Sequence, residues 1–225
     1  MTKSLLSRFA KHVKYAIKRR SMRAVFSRIY RTNKWGDEES RSGGGSNLDV
    51  TRVLRQRLPE MLGELGVQSM LDIPCGDFAW MKEVNLPVTL YIGADIVPDI
   101  ARDNVSRHSA PGREFRCINL VKDALPKVDL IFCRDCLVHL PFREVTEALA
   151  NIRRSGAKWV ALTTFDGLGE NMESPYMGKW RKLDMRLPPF LLPEPVYVID
   201  EQCAAAPDKR IAVWRIDDLP REYAV

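Results

Sequence analysis

Apolar positions near the start of the chain fall three and four residues apart. Leu5, Leu6, Phe9, Val13 and Ile17 form one such series, and Met22, Val25, Phe26, Ile29 and Tyr30 a second. That spacing predicts one or two amphipathic helices within residues 1–34. Residues 36–47 break the pattern with three consecutive glycines and predict a linker or a loop that closes over a ligand. A helix follows over 48–65, with Asn47 or Asp49 as its cap and Pro59 inside it. Short apolar runs then alternate with helical periodicity. Strands are predicted at 69–73, 89–96, 114–118, 128–133 and 159–165. Helices are predicted at 78–85, 98–108 and 142–154, the last stopping at Gly156. Two further strands, 196–200 and 210–216, close the chain with no helix pattern between them. Strand–helix alternation implies an α/β, Rossmann-like doubly wound sheet, mostly parallel. The final strand pair implies an antiparallel edge.

Charge changes the picture of the amino-terminal segment. The 225 residues hold 35 Lys and Arg against 29 Asp and Glu. Eleven of those bases lie in residues 1–34, which contain no acid. The rest of the chain is left with 24 bases against 29 acids. A basic arm therefore precedes a mildly acidic body. The organisation read from this is an arm over 1–34, a glycine-rich lid or linker over 35–47, and one domain over 48–225. No apolar run approaches the roughly 18 residues of a membrane span. Five cysteines, an odd number, suit a reduced cytoplasmic protein better than a disulfide scaffold. A basic face opposite Leu and Phe makes residues 1–20 a candidate for peripheral contact with an anionic membrane. An acid-free, Arg-rich start also keeps a mitochondrial matrix destination open in a eukaryote.

The chemistry concentrates at the end of the first strand, in Leu71-Asp72-Ile73-Pro74-Cys75-Gly76-Asp77-Phe78. Ligands of open parallel sheets bind beyond the carboxyl ends of the strands. Gly76 removes a Cβ where a ligand comes close. The second strand ends in Asp95, nineteen residues after Gly76, where an acid can accept bonds from both ribose hydroxyls. A dinucleotide needs a Gly-x-Gly-x-x-Gly turn for its pyrophosphate. This turn has one glycine, and Asp77 would repel a pyrophosphate. S-adenosylmethionine has no phosphate and carries a cationic sulfonium, which acids suit.

These residues resemble class I S-adenosylmethionine-dependent methyltransferases. Asp72 and Gly76 match the acid and middle glycine of that family's first motif, and Asp95 matches its ribose-binding acid. Asp72–Asp77, Asp129–His139 and Trp35–Ser46 resemble a bacterial subgroup of such enzymes. The resemblance covers about residues 26–217 and implies a seven-stranded sheet with strand seven antiparallel. It implies Asp72, Pro74, Cys75 and Gly76 at the methionine and ribose, and Asp95 and Ile96 at ribose and adenine. Asn119 and Leu120 become candidates for the adenine amine. Cys133, Arg134 and Asp135 fall where the methyl group is faced. Trp35, Arg41 and Ser42 fall in a lid, with Arg41 the candidate partner of the cofactor carboxylate.

His139, four residues after Asp135, is the candidate general base, with Asp135 second. A hydrogen-bonded structural histidine accounts for it equally well. Cys133 and Cys136 have a Cys-x-x-Cys spacing, but zinc needs two more ligands and only His139 is near, so no metal site is predicted. The long segment 165–195 offers Asn171, Tyr176, Trp180 and Arg181 to stack on and orient a polar, saccharide-type acceptor. The expected function is methyl transfer to a hydroxyl of a small polar or saccharide-type molecule. RNA methylation along the basic arm is the rival, disfavoured by the acidic body. A non-catalytic S-adenosylmethionine-binding module is the third reading.

Overall fold

The structure is a computed structural model and describes residues 21–223. The first predicted amphipathic segment and its membrane contact lie outside the described residues. No helix among the described residues is long and apolar enough to cross a membrane.

Seven strands form one sheet in the order β3-β2-β1-β4-β5-β7-β6. They are β1 Ser69–Asp72, β2 Leu90–Asp95, β3 Arg113–Cys117, β4 Leu130–Cys133, β5 Trp159–Phe165, β6 Tyr197–Asp200 and β7 Lys209–Arg215. The first five run parallel; β7 lies antiparallel to both β5 and β6. The four main helices are α1 Met22–Arg31, α2 Arg52–Glu64, α3 Pro98–His108 and α4 Phe142–Arg154.

The central strands β1, β2, β4 and β5 are buried on both sides because both faces are covered, whereas the outermost strands β3 and β6 are largely exposed. Met70 and Leu130 point to one face, where Leu54, Leu58, Met61 and Leu62 of α2 pack. Leu71 and Ile131 point to the other, against Val145, Leu149 and Ile152 of α4. The spacing of those α4 residues is the helical period read in the sequence. The helix ends as expected: Gly156 takes φ +74° just beyond it.

Two predicted helix boundaries shift. α2 begins at Arg52, because Asn47 Oδ1 accepts the Val50 N–H at 2.9 Å and holds a turn before the helix. The expected helix over 78–85 is replaced by turns and a 3₁₀ segment, Met81–Glu83. Phe78 sits at φ +60° and packs its ring on Tyr91, His108 and Phe115. That burial outweighs local helix propensity.

The parallel strands deliver Asp72, Asp95 and Cys133 to one rim of the sheet. Residues 35–47 form a strap along this rim, and α1 packs above it, with Met22 and Phe26 against the core on the α4 face.

Candidate cofactor and acceptor site

A cavity of about 510 Å³ opens at the carboxyl ends of β1, β2 and β4. Two buried carboxylates stand in its wall. Asp72 is buried and accepts the Tyr91 hydroxyl at 2.6 Å. Asp95 is buried and accepts backbone N–H bonds from Val97 at 2.9 Å and Gly76 at 3.3 Å. Burial disfavours the charged form of each. It pushes the Asp72 carboxyl up to about 7, against the pull of the Tyr91 bond. It pushes the Asp95 carboxyl up to about 6, against the backbone N–H groups. Among the described residues neither is paired with a Lys, Arg or His; Asp72 feels only a weak pull from Arg134.

The turn between them is fixed from several sides. The Cys75 N–H donates to the Ala94 carbonyl, and Asn104 Nδ2 donates to the Gly76 carbonyl at 2.8 Å. Gly76 holds φ +55°, and a Cβ there would collide with Ser42 Oγ. Asp77, also at the cavity wall, holds the strap. It accepts bonds from Ser40 Oγ at 2.9 Å, the Arg41 N–H at 2.8 Å and Ser42 Oγ at 3.3 Å. Ser42 Oγ in turn accepts the Asp77 N–H. Gly76→Ala is therefore expected to destabilise by about 1–2 kcal/mol from the left-handed backbone and to lift the strap. Faster tryptic cleavage at exposed Arg41 would register the lifting, and Ser42→Gly in the same chain should slow it again.

A four-residue ionic cluster lies beneath the strap, joining the end of β4 to the end of β6 and the start of β7 across β5. Arg134 bonds Glu201 through Nη2 at 2.6 Å and Nε at 3.1 Å, and reaches Asp135 Oδ2 at 3.1 Å. Lys209 Nζ lies 2.5 Å from Asp135 Oδ2 and 3.4 Å from Glu201 Oε1. Arg134 also donates to the Gly45 carbonyl at 2.8 Å, tying the strap to this cluster. The neighbouring cations outweigh burial and hold Asp135 below the usual carboxylate range. Its Oδ1 is buried with no hydrogen-bond partner among the described residues.

His139 stacks on Trp35 with centroids 4.8 Å apart and planes 26° apart. Burial drives its imidazole down to about 4, so it is neutral near pH 7. Its Nδ1 is buried without a partner among the described residues.

Most of the sequence-predicted residues converge on this cavity. Trp35, Arg41, Ser42, Asp72, Pro74, Cys75, Gly76, Asp95, Ile96, Leu120, Arg134, Asp135, His139 and Trp180 all line it. Five do not, and four of these are occupied elsewhere. Asn119 closes its own turn, its Oδ1 accepting the Val121 N–H at 2.9 Å. Cys133 points into the core, and its neighbour Cys136 takes the place at the wall. Asn171 Nδ2 donates to the Asp184 and Pro188 carbonyls. Arg181 donates to the carbonyls of Met172 and Leu140. Tyr176 is 63% exposed and stands off the cavity. Met22, Phe26, Tyr30, Trp80, Phe165 and Lys209 line the wall without having been singled out for it. The periodicity that predicted α1 held the signal for Met22, Phe26 and Tyr30.

No protein-family model matches this chain, and no curated protein matches it. Solved structures do. The N-methyltransferase NodS from Bradyrhizobium japonicum WM9 superposes with a TM-score of 0.55 at 14% identity, over 76% of this chain and 98% of that one. The 1,6-didemethyltoxoflavin-N1-methyltransferase of Burkholderia thailandensis, solved with 1,6-didemethyltoxoflavin and S-adenosylhomocysteine, gives 0.54 at 16% over 86% of both chains. The mitomycin 7-O-methyltransferase MmcR gives 0.56 at 13%; the match takes in 75% of this chain and about half, 54%, of that one. Together with the strand order, these matches define the fold: it is that of the class I S-adenosylmethionine-dependent methyltransferases.

Proposed function

We propose that the protein binds S-adenosylmethionine and transfers its methyl group to a hydroxyl of a small acceptor. The observation that carries this is the pair Asp72 and Asp95, buried at adjacent strand ends with no Lys, Arg or His paired to either among the described residues. A ligand that brings hydroxyl donors and positive charge relieves both. A pyrophosphate would add negative charge to a wall that already holds two carboxylates.

Asp95 would accept the ribose hydroxyls, with Ile96 and Leu120 as the apolar wall for adenine. Asp72 and the Gly76 turn would face the amino-acid end, and Arg41 on the strap would meet its carboxylate. S-adenosylmethionine supplies a sulfonium methyl group open to in-line attack. The chain's own part is to position the acceptor, exclude water with the strap, and take up a proton. His139 is the proton acceptor, being neutral near pH 7 and unpartnered at Nδ1. Asp135 is committed to Lys209 and Arg134 through Oδ2 and orients rather than deprotonates.

A saccharide acceptor fits less well than the sequence suggested. Asn171 and Arg181, which would orient sugar hydroxyls, are spent on backbone carbonyls. Each hydroxyl buried without a partner costs about 1–3 kcal/mol.

Titration calorimetry with S-adenosylmethionine tests the reading; no detectable binding overturns it. Binding also has an expected pH dependence. The ligand's donors and positive charge favour the ionised carboxylates, whereas the free protein takes up protons as pH falls through about 7 at Asp72 and about 6 at Asp95. Affinity should therefore fall from pH 8 to pH 5.5, by about tenfold per unit for each carboxylate once below its value. Proton release on binding near pH 6.5, read from buffers of different ionisation enthalpy, checks the sign.

A further inference from the structure

The cavity divides along the order of the strands. Asp95, Ile96 and Leu120 line the part over β2 and β3. The part served by α1, the strap and the loops after β4 and β5 is walled by Met22, Phe26, Trp35, His139, Phe165 and Trp180. The rings occur in two groups. Trp35 lies against His139 and, 6.3 Å away, Phe26. Trp180 meets Phe165 edge-on at 5.9 Å and is itself 49% exposed, so this group reaches the mouth.

Polar groups in this chamber are few. Lys209 is committed to Asp135 and Glu201, and Arg134 to Glu201, Asp135 and the Gly45 carbonyl. The ionic cluster holds two cations and two anions, so it offers no net charge to an ionic acceptor. Two wall atoms are buried without a partner among the described residues, Asp135 Oδ1 and His139 Nδ1. A flat molecule with one or two hydroxyls at one edge satisfies both atoms. A polyhydroxylated ring would set its remaining hydroxyls against aromatic faces.

We propose that the acceptor is a planar aromatic molecule bearing a phenol-type hydroxyl, its ring among Phe26, Trp35, Phe165 and Trp180 and its hydroxyl at Asp135 and His139. This rests on the methyl-transfer reading above. In the reaction the phenolic oxygen forms the new bond to the methyl carbon. The carbon–sulfur bond breaks with its electron pair left on sulfur, and the phenolic proton leaves to His139. A phenol ionises near pH 10, as tyrosine does, and so asks far less of a weak base such as His139 than an alkyl hydroxyl does.

The test uses the full chain with S-adenosylhomocysteine present at saturation. Naphthol and catechol are titrated against methyl glucoside, with tryptophan fluorescence as the readout, and methylated products are sought by mass spectrometry with S-adenosylmethionine. The aromatic probes should bind and be methylated while the glucoside does neither. Trp180→Ala should weaken naphthol binding about tenfold, the loss of one stacked aromatic contact and its buried area, while leaving S-adenosylmethionine affinity within about twofold. Aromatic probes that fail to bind while S-adenosylhomocysteine binds would overturn the proposal. So would tighter binding of the glucoside, or naphthol binding indifferent to Trp180→Ala. Failure of S-adenosylhomocysteine itself to bind would strike the donor reading instead. In that case naphthol binding by the free protein, weakened by Trp180→Ala, would still uphold the aromatic chamber.

Discussion

Asp95→Ala is expected to weaken S-adenosylmethionine binding by about a hundredfold or more, with the fold retained. Asp95 ends β2 with its carboxylate at the cavity, where two ribose hydroxyls would donate to it. Hydrogen bonds to a charged group contribute about 1.5–3 kcal/mol each, and both are lost together. The carboxylate also receives the Val97 and Gly76 N–H groups, so alanine loosens the turn as well. Asp95→Asn separates the two effects, because its amide oxygen can still accept from the backbone. Calorimetry should show Asn at an intermediate affinity, and a thermal melt should show it near wild type. Unchanged affinity in Asp95→Ala would remove the ribose assignment.

The second large effect is on stability. Arg134→Met should destabilise the protein by about 3–5 kcal/mol, the cost of removing one partner from a buried ion pair. The Glu201 side chain is fully buried, and Lys209 at 3.4 Å would be its remaining cation. Replacing Glu201 as well, by Leu, should recover part of the loss, because no uncompensated charge is then left at that position. Urea melts of the two single variants and the double variant measure the coupling. Additivity would show that the pair is not an energetic unit. Arg134→Met should also raise the Kd for S-adenosylmethionine, since the Gly45 carbonyl loses its donor and the strap its inner anchor.

The sheet was legible because strands buried on both faces read as apolar runs, and because α3, α4 and β5 carry their own boundaries. Pro98 opens α3 and Gly156 follows α4. Asp72, Gly76 and Asp95 were legible for the same reason: their roles depend on positions along two adjacent strands and one turn. The Arg134–Glu201–Lys209 cluster was not. Its members are separated by up to 75 positions, and the β4–β5–β7–β6 pairing brings them together. Asn119 and Asn171 show the opposite error. A short amide closes a loop as readily as it binds a ligand, and the local sequence does not distinguish the two. The misplaced helix over 78–85 has a tertiary cause, the burial of Phe78 among Tyr91, His108 and Phe115.

One wall of the cavity is a separate helix. Met22, Phe26 and Tyr30 line it from α1, which is held by Arg31 to Asp99 at 3.1 Å and by Ile29 against Gly178. Any ligand touching those side chains prefers the docked helix, so helix docking and ligand affinity are thermodynamically linked. A ligand that fills the chamber must protect α1 from proteolysis. By reciprocity, a partner that binds more tightly when α1 is docked must raise the chamber's affinity by the factor by which the chamber's ligand tightens that partner, and one that prefers α1 undocked must lower it.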